Sequence, residues 1–208
     1  MDKRMNILAI GAHPDDIEFG CGGTLLKYGI RGHKIYLLIM SKGDRGGDMD
    51  VRMAEQTASA QIMNASGLFW GNAEDTRLAV DLDTIQYIEG IMSVVKPDFI
   101  FCHYHDDTHQ DHRHLAQIVI SATRYVRNVM FYEGPTTQRF DPSVFVDISE
   151  TIDKKRDLLK AHQSQVARTN IEGLSILDIA NAGAVFRGIQ GRVKYAEAFS
   201  PLRLFINI

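Results

Sequence analysis

Cysteine, proline and tryptophan are scarce in this 208-residue chain, which contains two, five and one of them respectively. The two cysteines, Cys21 and Cys102, lie far apart with no CxxC spacing, which excludes a disulfide scaffold and a cysteine-based zinc finger and favours the reducing cytoplasm. No run reaches the roughly 18 uncharged apolar residues that a transmembrane helix needs, so we expect no membrane partner. A net charge of −3 does not provide the excess positive charge that is typical of proteins that bind nucleic acid.

The rest of the composition is that of an ordinary globular domain, with 45% hydrophobic and 24% charged residues, and we predict one domain over residues 1–208. Short apolar runs alternate with helical patterns, which is typical of an α/β fold with a mostly parallel sheet. Strands are predicted at residues 6–12, 34–40, 67–70, 98–103 and 129–132, and helices between them at 16–29, 51–65, 82–95 and 112–125.

The pattern loosens after residue 132, so we interpret residues 1–132 as the core and 133–208 as a C-terminal appendage. A strand at residues 144–148 and helices at 149–162 and 174–184 are expected there, with Ser149 as the N-cap of the first helix. His33 and His162 stand at the ends of predicted elements, and we expect both at the surface.

Polar side chains crowd directly behind the first predicted strand, where His13, Asp15 and Asp16 follow one another closely. Ligands of open α/β sheets bind outside the carboxyl ends of the strands, so this placement favours a functional role. His13 and Asp16 can aim a nitrogen and an oxygen at one ion, a donor pair that zinc accepts. The alternative is that an aspartate only caps the next helix. The glycines within residues 20–23 lack the full GxGxxG pattern, so close helix–sheet packing is favoured over nucleotide binding.

A second polar cluster follows the fourth predicted strand and contains His109 and His112. In the common strand order 3-2-1-4-5, strands 1 and 4 are neighbours, so the two clusters would meet at one edge of the sheet. Two histidines and one aspartate, with an open position for water, are typical of a catalytic zinc site. A solvated polar loop without function is the alternative. His103, His105 and His114 could form a second layer around such a site.

Three motifs resemble the PIG-L (LmbE-like) family of zinc-dependent de-N-acetylases, namely residues 13–18 (HPDDIE), 22–24 (GGT) and 109–112 (HQDH). Weaker similarity in Arg52 with Glu55, in residues 162–165 and in residues 195–199 extends the resemblance over most of the chain. The spacing is most similar to that of the deacetylases of bacillithiol biosynthesis. The resemblance implies a single-domain, Rossmann-like three-layer fold with strand order 3-2-1-4-5 plus C-terminal additions, and a homo-oligomer such as a hexamer.

The resemblance also implies a reaction, in which the N-acetyl group of an N-acetylglucosamine-type sugar is hydrolysed and acetate is released. The implied cofactor is Zn²⁺, or another divalent metal such as Fe²⁺. By this resemblance, His13, Asp16 and His112 match the metal ligands, and Asp15 matches the general base. His109 matches a histidine that stabilises the oxyanion or acts as an acid, and Asp111 matches the carboxylate that orients this histidine. Arg52 and Arg139 match arginines near the sugar.

Two other functions stay open on the sequence alone. One is a different metal-dependent hydrolase on the same scaffold, acting on an ester or a phosphoester. The other is a metal or ligand binder without catalytic activity. The presence of Asp15, His109 and Asp111 counts against the binder, because binding alone requires none of them. Whether Tyr195 reaches the site is also open.

Overall fold

The computed structural model describes residues 4–206, which form a seven-stranded sheet and six helices. The strands are β1 (Asn6–Gly11), β2 (Lys34–Ser41), β3 (Gly67–Ala73), β4 (Phe99–His103), β5 (Val129–Tyr132), β6 (Val144–Asp147) and β7 (Ala196–Arg203). The helices are α1 (Asp16–Ile30), α2 (Met49–Met63), α3 (Leu82–Val95), α4 (Gln110–Ala122), α5 (Ile152–Ala161) and α6 (Ile176–Gly191).

The strands stand in the order β3-β2-β1-β4-β5-β7-β6. This confirms the mostly parallel sheet with the predicted order 3-2-1-4-5 and additions from the C-terminal part of the chain. The first five strands pair in parallel, whereas β7 runs antiparallel to both β5 and β6. Because β1 and β4 are parallel neighbours, the loops that follow them emerge side by side at the same edge of the sheet.

Both faces of the central strands are apolar and covered by helices, which produces three layers. Leu8 of β1 belongs to one buried cluster, together with Ile88 of α3 and Leu115 of α4. Ile7, which points to the opposite face, belongs to a second cluster that contains Leu158 of α5 and residues of α1 and α2. Each such side chain contributes about 1.5–3 kcal/mol on full burial. Among residues 4–206, no helix combines the length and apolarity needed to span a bilayer.

The C-terminal third differs from the prediction in three places, and one of them is α6, which runs to Gly191 although the predicted helix ended at residue 184. Strand β7 was not predicted, because its sequence AEAFSPLR interrupts the apolar pattern with a glutamate, a serine and a proline. Helix α5 begins at Ile152 with Thr151 as N-cap, so the prediction that Ser149 caps it was wrong. Residues 149–151 form a turn instead, and the hydroxyl of Ser149 accepts a hydrogen bond of 3.3 Å from the backbone N–H of Tyr195.

Close packing fixes the start of α1 against the sheet. Gly20 faces the ring of Tyr132 on β5, and a Cβ atom at residue 20 would overlap that ring. The hydroxyl of Tyr132 donates a hydrogen bond of 2.9 Å to the carbonyl of Ile10, near the end of β1. At Gly20 the structure therefore confirms the close helix–sheet packing that we predicted for the glycines of α1.

Candidate metal centre and active site

The two polar loops predicted from the sequence meet at the carboxyl ends of β1 and β4. The carboxylate of Asp16 lies between two imidazoles, with one oxygen 3.4 Å from Nδ1 of His13 and the other 3.4 Å from Nε2 of His112. Together with Asp15 and His109, these side chains line a cleft of about 450 Å³. The structure thus brings all three predicted metal ligands, the predicted base and the predicted oxyanion histidine to one place.

Two further carboxylates face the opposite nitrogen of His13. Its Nε2 is 3.0 Å from Oδ1 of Asp75 and 3.2 Å from Oδ2 of Asp111. The Asp111 carboxylate also accepts hydrogen bonds from the backbone N–H groups of Thr76 at 2.8 Å and Leu78 at 3.2 Å. Carboxylates placed in this way orient a metal-binding histidine. They leave Nδ1, on the Asp16 side, as the candidate ligand atom.

These contacts correct the expectation that the Asp111 carboxylate orients His109. The carboxylate turns to His13, and the backbone of Asp111 holds His109 instead, since its N–H donates a hydrogen bond of 3.2 Å to Nδ1 of His109. A neutral imidazole whose Nδ1 accepts a hydrogen bond carries its own hydrogen on Nε2. Burial lowers the pKa of His109, and charge on His112 lowers it further, which favours the neutral ring.

His103 lies directly against the candidate ligands. It is buried, its ring stacks on that of His112 with 3.9 Å between centroids, and its Nε2 is 3.0 Å from Oδ2 of Asp16. The other ring nitrogen of His112, Nδ1, is 3.3 Å from Oδ2 of Asp107. Both candidate histidine ligands therefore have a carboxylate behind the ring, and neither Asp75 nor Asp107 was predicted from the sequence.

The donor set fits a divalent cation. Ring nitrogens of His13, His109 and His112 lie within 4.8 Å of one another, and a second such group joins His112 to Asp16 and a neighbouring histidine. Imidazole and carboxylate are the ligands that zinc binds in catalytic sites. The surroundings also favour positive charge. Burial opposes a charge on His112, yet the carboxylates of Asp16 and Asp107 raise its pKa to about 9. The residues present thus suit the metal that the family resemblance implies.

Asp15 occupies a strained turn that α2 holds in place. Its φ angle of 89° is left-handed, a conformation that non-glycine residues rarely adopt. The backbone N–H of Asp15 donates to Oε1 of Gln56 at 3.2 Å. Nη2 of Arg52 donates to the carbonyl of Pro14 at 2.7 Å and to the Asp15 carboxylate at 3.3 Å. Burial raises the pKa of Asp15 to about 6 against the opposing charge of Arg52, and a carboxyl group of this pKa suits proton transfer near neutral pH.

The two arginines expected near the sugar differ in position. Arg52 lines the cleft, but it is only 5% exposed, and its Nη1 also donates to the carbonyl of Gly43 at 2.9 Å. Its contacts assign it to holding the Asp15 turn. The Arg139 side chain is 91% exposed and faces Asp106 at 4.0 Å, so the structure does not bring it to the cleft. Arg168, which was not predicted, lines the cleft from the segment after α5.

A buried charged cluster behind Asp15 was not predicted either. Glu18 is fully buried and accepts hydrogen bonds from Nε2 of Gln56 at 2.7 Å and from the hydroxyl of Ser59 at 2.8 Å. Contrary to our expectation of a surface position, His162 is only 1% exposed, with Nε2 3.6 Å from the Glu18 carboxylate. The available signal was a glutamate on the apolar side of α1, because a buried carboxylate requires a partner.

Three other residues considered from the sequence, His105, His114 and Tyr195, are not among the side chains that surround Asp16. His105 is exposed, and Nδ1 of His114 lies 2.7 Å from the carbonyl of Leu78. The ring of Tyr195 packs against two cations, with the Lys194 ammonium 5.3 Å and the Arg156 guanidinium 5.9 Å from its centroid. The contacts of His114 and Tyr195 thus involve other parts of the fold, and His105 faces solvent.

Known proteins are similar in sequence to this chain over more than half of its length. The family model described as "PIG-L: GlcNAc-PI de-N-acetylase" matches residues 8–123. "Uncharacterized deacetylase YaiS" of Escherichia coli is 35% identical over 172 residues, which cover 78% of this chain and 93% of that protein. The 4-oxalmesaconate hydratase of Pseudomonas putida is 27% identical over 179 residues, 71% of this chain and 69% of that one. The diacetylchitobiose deacetylase of Thermococcus kodakarensis is 25% identical over 187 residues, 76% and 69% of the two chains.

The fold is shared as well. The crystal structure of the conserved protein TT1542 from Thermus thermophilus superposes with a TM-score of 0.87 at 25% identity, covering 98% of this chain and 97% of that one. The family match spans more than half of the chain and includes both loops, with His13, Asp15 and Asp16 in the first and residues 109–112 in the second. On these grounds the chain belongs to the PIG-L family of de-N-acetylases, as its motifs predicted.

Proposed function

We propose that this chain is a divalent-metal-dependent N-deacetylase, which hydrolyses the N-acetyl group of an N-acetylglucosamine-type sugar and releases acetate. One observation carries the proposal: Asp16 contacts both His13 and His112, and Asp15 lines the same cleft. The name of the Thermococcus relative, a diacetylchitobiose deacetylase, supports an N-acetylated sugar as the substrate. Zn²⁺ suits the ligands best, with Fe²⁺ as the alternative.

The residues divide the chemistry between binding a cation and moving a proton. His13, Asp16 and His112 would hold the cation, which when bound polarises the acetyl carbonyl and lowers the pKa of a water molecule. Asp15 accepts a proton from the attacking water and returns it to the amine nitrogen as the C–N bond breaks. The products are acetate and a free amine. The pKa of about 6 allows Asp15 to take and to give a proton near neutral pH.

The surrounding residues hold these groups in position. His109 keeps a hydrogen on Nε2 and donates it toward the carbonyl oxygen as negative charge develops, an interaction worth about 3–4 kcal/mol in comparable oxyanion holes. The carboxylates of Asp75 and Asp111 orient the His13 ring. Arg52 maintains the strained Asp15 turn through its bonds to the Pro14 carbonyl and the Asp15 carboxylate.

A hydratase is the second candidate function, because a relative of 27% identity bears that name. Adding water to a carbon–carbon double bond would also use a positioned water and a carboxylate that moves a proton. Hydrolysis of an ester or phosphoester, and metal binding without turnover, are further alternatives. The family match and the 35% identical relative named as a deacetylase favour amide hydrolysis.

Product analysis tests the proposal directly. The purified chain is loaded with Zn²⁺ or Fe²⁺ and incubated with N-acetylglucosamine, methyl N-acetylglucosaminide and N,N′-diacetylchitobiose. Equal amounts of acetate and primary amine are expected from at least one of them. A chain that leaves all N-acetyl groups intact, but hydrates an unsaturated dicarboxylate or hydrolyses an ester or a phosphorylated sugar, would contradict it. Homo-oligomeric assembly and the likeness to the bacillithiol type stay predictions.

A further inference from the structure

A second cavity opens beside the metal cleft. It has a volume of about 520 Å³ and shares four wall residues with the cleft, namely Phe19, Gly134, Pro135 and Ile179. Its size falls in the usual range for sites that bind small molecules, about 300–1,000 Å³. The metal cleft of about 450 Å³ offers room for the acetyl group and the sugar that carries it, so the second cavity is open to a further part of the substrate.

Small residues of α6 create the room. Ala180, Gly183 and Ala184 line the cavity on one side, and Phe19 and Leu174 contribute apolar surface elsewhere. A Cβ atom added at Gly183 would meet nothing within 4 Å, so the space in front of this glycine is open. The absence of a side chain at residue 183 therefore keeps the cavity wide.

The charged groups of the lining neutralise one another. Nε and Nη2 of Arg187 each lie 2.6 Å from an oxygen of Glu133. Nζ of Lys155 lies 2.5 Å from Oε1 of Glu197, and both side chains are 4% exposed. The remaining charged side chain of the lining, Asp178, is negative. An anionic ligand would find both lining cations already paired, and it would meet a carboxylate as well.

We propose that this cavity binds an uncharged, largely apolar substituent on the amino sugar, such as an aryl or short alkyl aglycone. The inference rests on the proposed deacetylase function and names the substrate class of the same site. The shared wall places the substituent beside the acetyl group that reacts. Paired cations select against a phosphate or carboxylate at this end of the substrate, because such a group would lose its hydration without gaining a free partner.

Three N-acetylglucosaminides with different aglycones test the inference on the metal-loaded chain. We expect kcat/KM for the phenyl glycoside to exceed that for the methyl glycoside by about tenfold, the effect of burying a few apolar carbons. The 4-carboxyphenyl glycoside should lose this gain. Equal values for the methyl and phenyl glycosides, or a carboxyphenyl glycoside as good as the phenyl one, would overturn the inference.

A substitution in the cavity wall tests whether the preference for the phenyl glycoside arises in this cavity. Gly183→Leu should reduce the phenyl-to-methyl ratio to about one, because the new side chain fills the open space in front of the glycine. Gly90→Leu is the matched control, since Gly90 lies on α3 and a Cβ atom there also meets nothing within 4 Å. The control should keep the wild-type ratio. An unchanged ratio in Gly183→Leu would show that the phenyl group binds elsewhere.

Calorimetric binding of phenyl glucosaminide, the amine product, separates this inference from the deacetylase proposal because it requires no turnover. We expect tighter binding than for methyl glucosaminide in the wild type and in Gly90→Leu, and no preference in Gly183→Leu. If acetate is never released but this pattern is found, the deacetylase proposal fails and the apolar subsite stands. If acetate is released but the pattern is absent, the subsite is wrong and the deacetylase proposal stands.

Discussion

Asp15 and Asp16 are adjacent in the chain but have different surroundings, which is how two neighbouring carboxylates can take different roles. Asp16 contacts three imidazoles, and although burial opposes its charge, His103 and His112 hold its pKa well below the usual range. Asp15 faces Arg52, and burial raises its pKa to about 6. The first environment keeps a carboxylate ionised as a ligand, and the second allows a carboxylate to exchange a proton.

The Asp15 assignment predicts that Asp15→Asn lowers turnover by about 10²–10⁴-fold, the usual contribution of a general base, while the bound metal remains. Acetate release and elemental analysis on the same samples measure the two effects. Asp50→Asn, which changes an exposed aspartate on α2, should leave both unchanged. Near-normal acetate release from Asp15→Asn would remove this residue as the base.

The buried pair of Glu18 and His162 predicts a pH-dependent stability. Burial lowers the pKa of His162, but the Glu18 carboxylate more than offsets this and raises it above the ordinary value. A raised pKa adds stability that is fully present below the unfolded pKa of about 6.5 and is lost as the pH rises through the folded value. The stabilising effect of His162 should therefore decrease as the pH rises above about 6.5.

Thermal unfolding of the wild type and His162→Gln measures this effect. The difference in Tm between them should be larger at the lower pH, and about 1 kcal/mol corresponds to about 2–4 °C in a chain of this size. His105→Gln, at an exposed histidine, should show no such trend. A Tm difference that stays constant or grows with pH would contradict the raised pKa.

Residues of the candidate site could be predicted from the sequence where polar side chains directly follow an apolar strand. His13, Asp16 and His112 stand out because polar groups follow apolar strands. Asp75 follows β3, a strand that was predicted too short, and its contact with His13 depends on how the strands pair. The burial of His162 depends on a glutamate 144 positions earlier in the chain, a distance given by 162 − 18. Contacts of this kind follow from tertiary packing and leave no local signature.

At the scale of elements, the fit of α1 onto the sheet is the feature that positions the first loop. Gly20→Ala should destabilise the chain by about 1–3 kcal/mol, because the new methyl group would overlap the ring of Tyr132. Gly29→Ala, on the same helix, is the control. Its Cβ atom would lie 3.9 Å from Ile35, an ordinary contact, so a gain of up to about 1 kcal/mol is expected.

Urea unfolding monitored by circular dichroism measures both changes. A Gly20→Ala variant as stable as the wild type would contradict the close contact between α1 and the ring of Tyr132. Because α1 begins at Asp16, the same substitution should also weaken metal binding, whereas Gly29→Ala should not.

The order of the parallel strands could be predicted because a chain of alternating strands and helices commonly adopts the doubly wound order 3-2-1-4-5, and this order brings the two polar clusters together. The antiparallel end of the sheet could not. Strand β7 carries Glu197, whose carboxylate accepts hydrogen bonds from the N–H groups of Gly23 at 2.8 Å and Thr24 at 2.7 Å. Because this buried glutamate accepts hydrogen bonds from a helix backbone, the sequence of the strand resembles that of a polar loop.

At the scale of the whole molecule, the candidate site is assembled from segments far apart in the chain. The first loop supplies His13 and Asp16, α2 supplies Arg52, the segment after β3 supplies Asp75, and the loop and helix after β4 supply His112. Parallel pairing of β1 with β4 brings the two outer segments together. The proposed metal-dependent chemistry therefore depends on these segments sharing one ion.

Elemental analysis of the purified chain tests that dependence most directly. The wild type is compared with His112→Asn and with His114→Asn, which changes another histidine of α4 whose ring contacts the carbonyl of Leu78. We expect about one divalent cation per chain in the wild type and in His114→Asn, and almost none in His112→Asn. Equal metal content in all three proteins would contradict it.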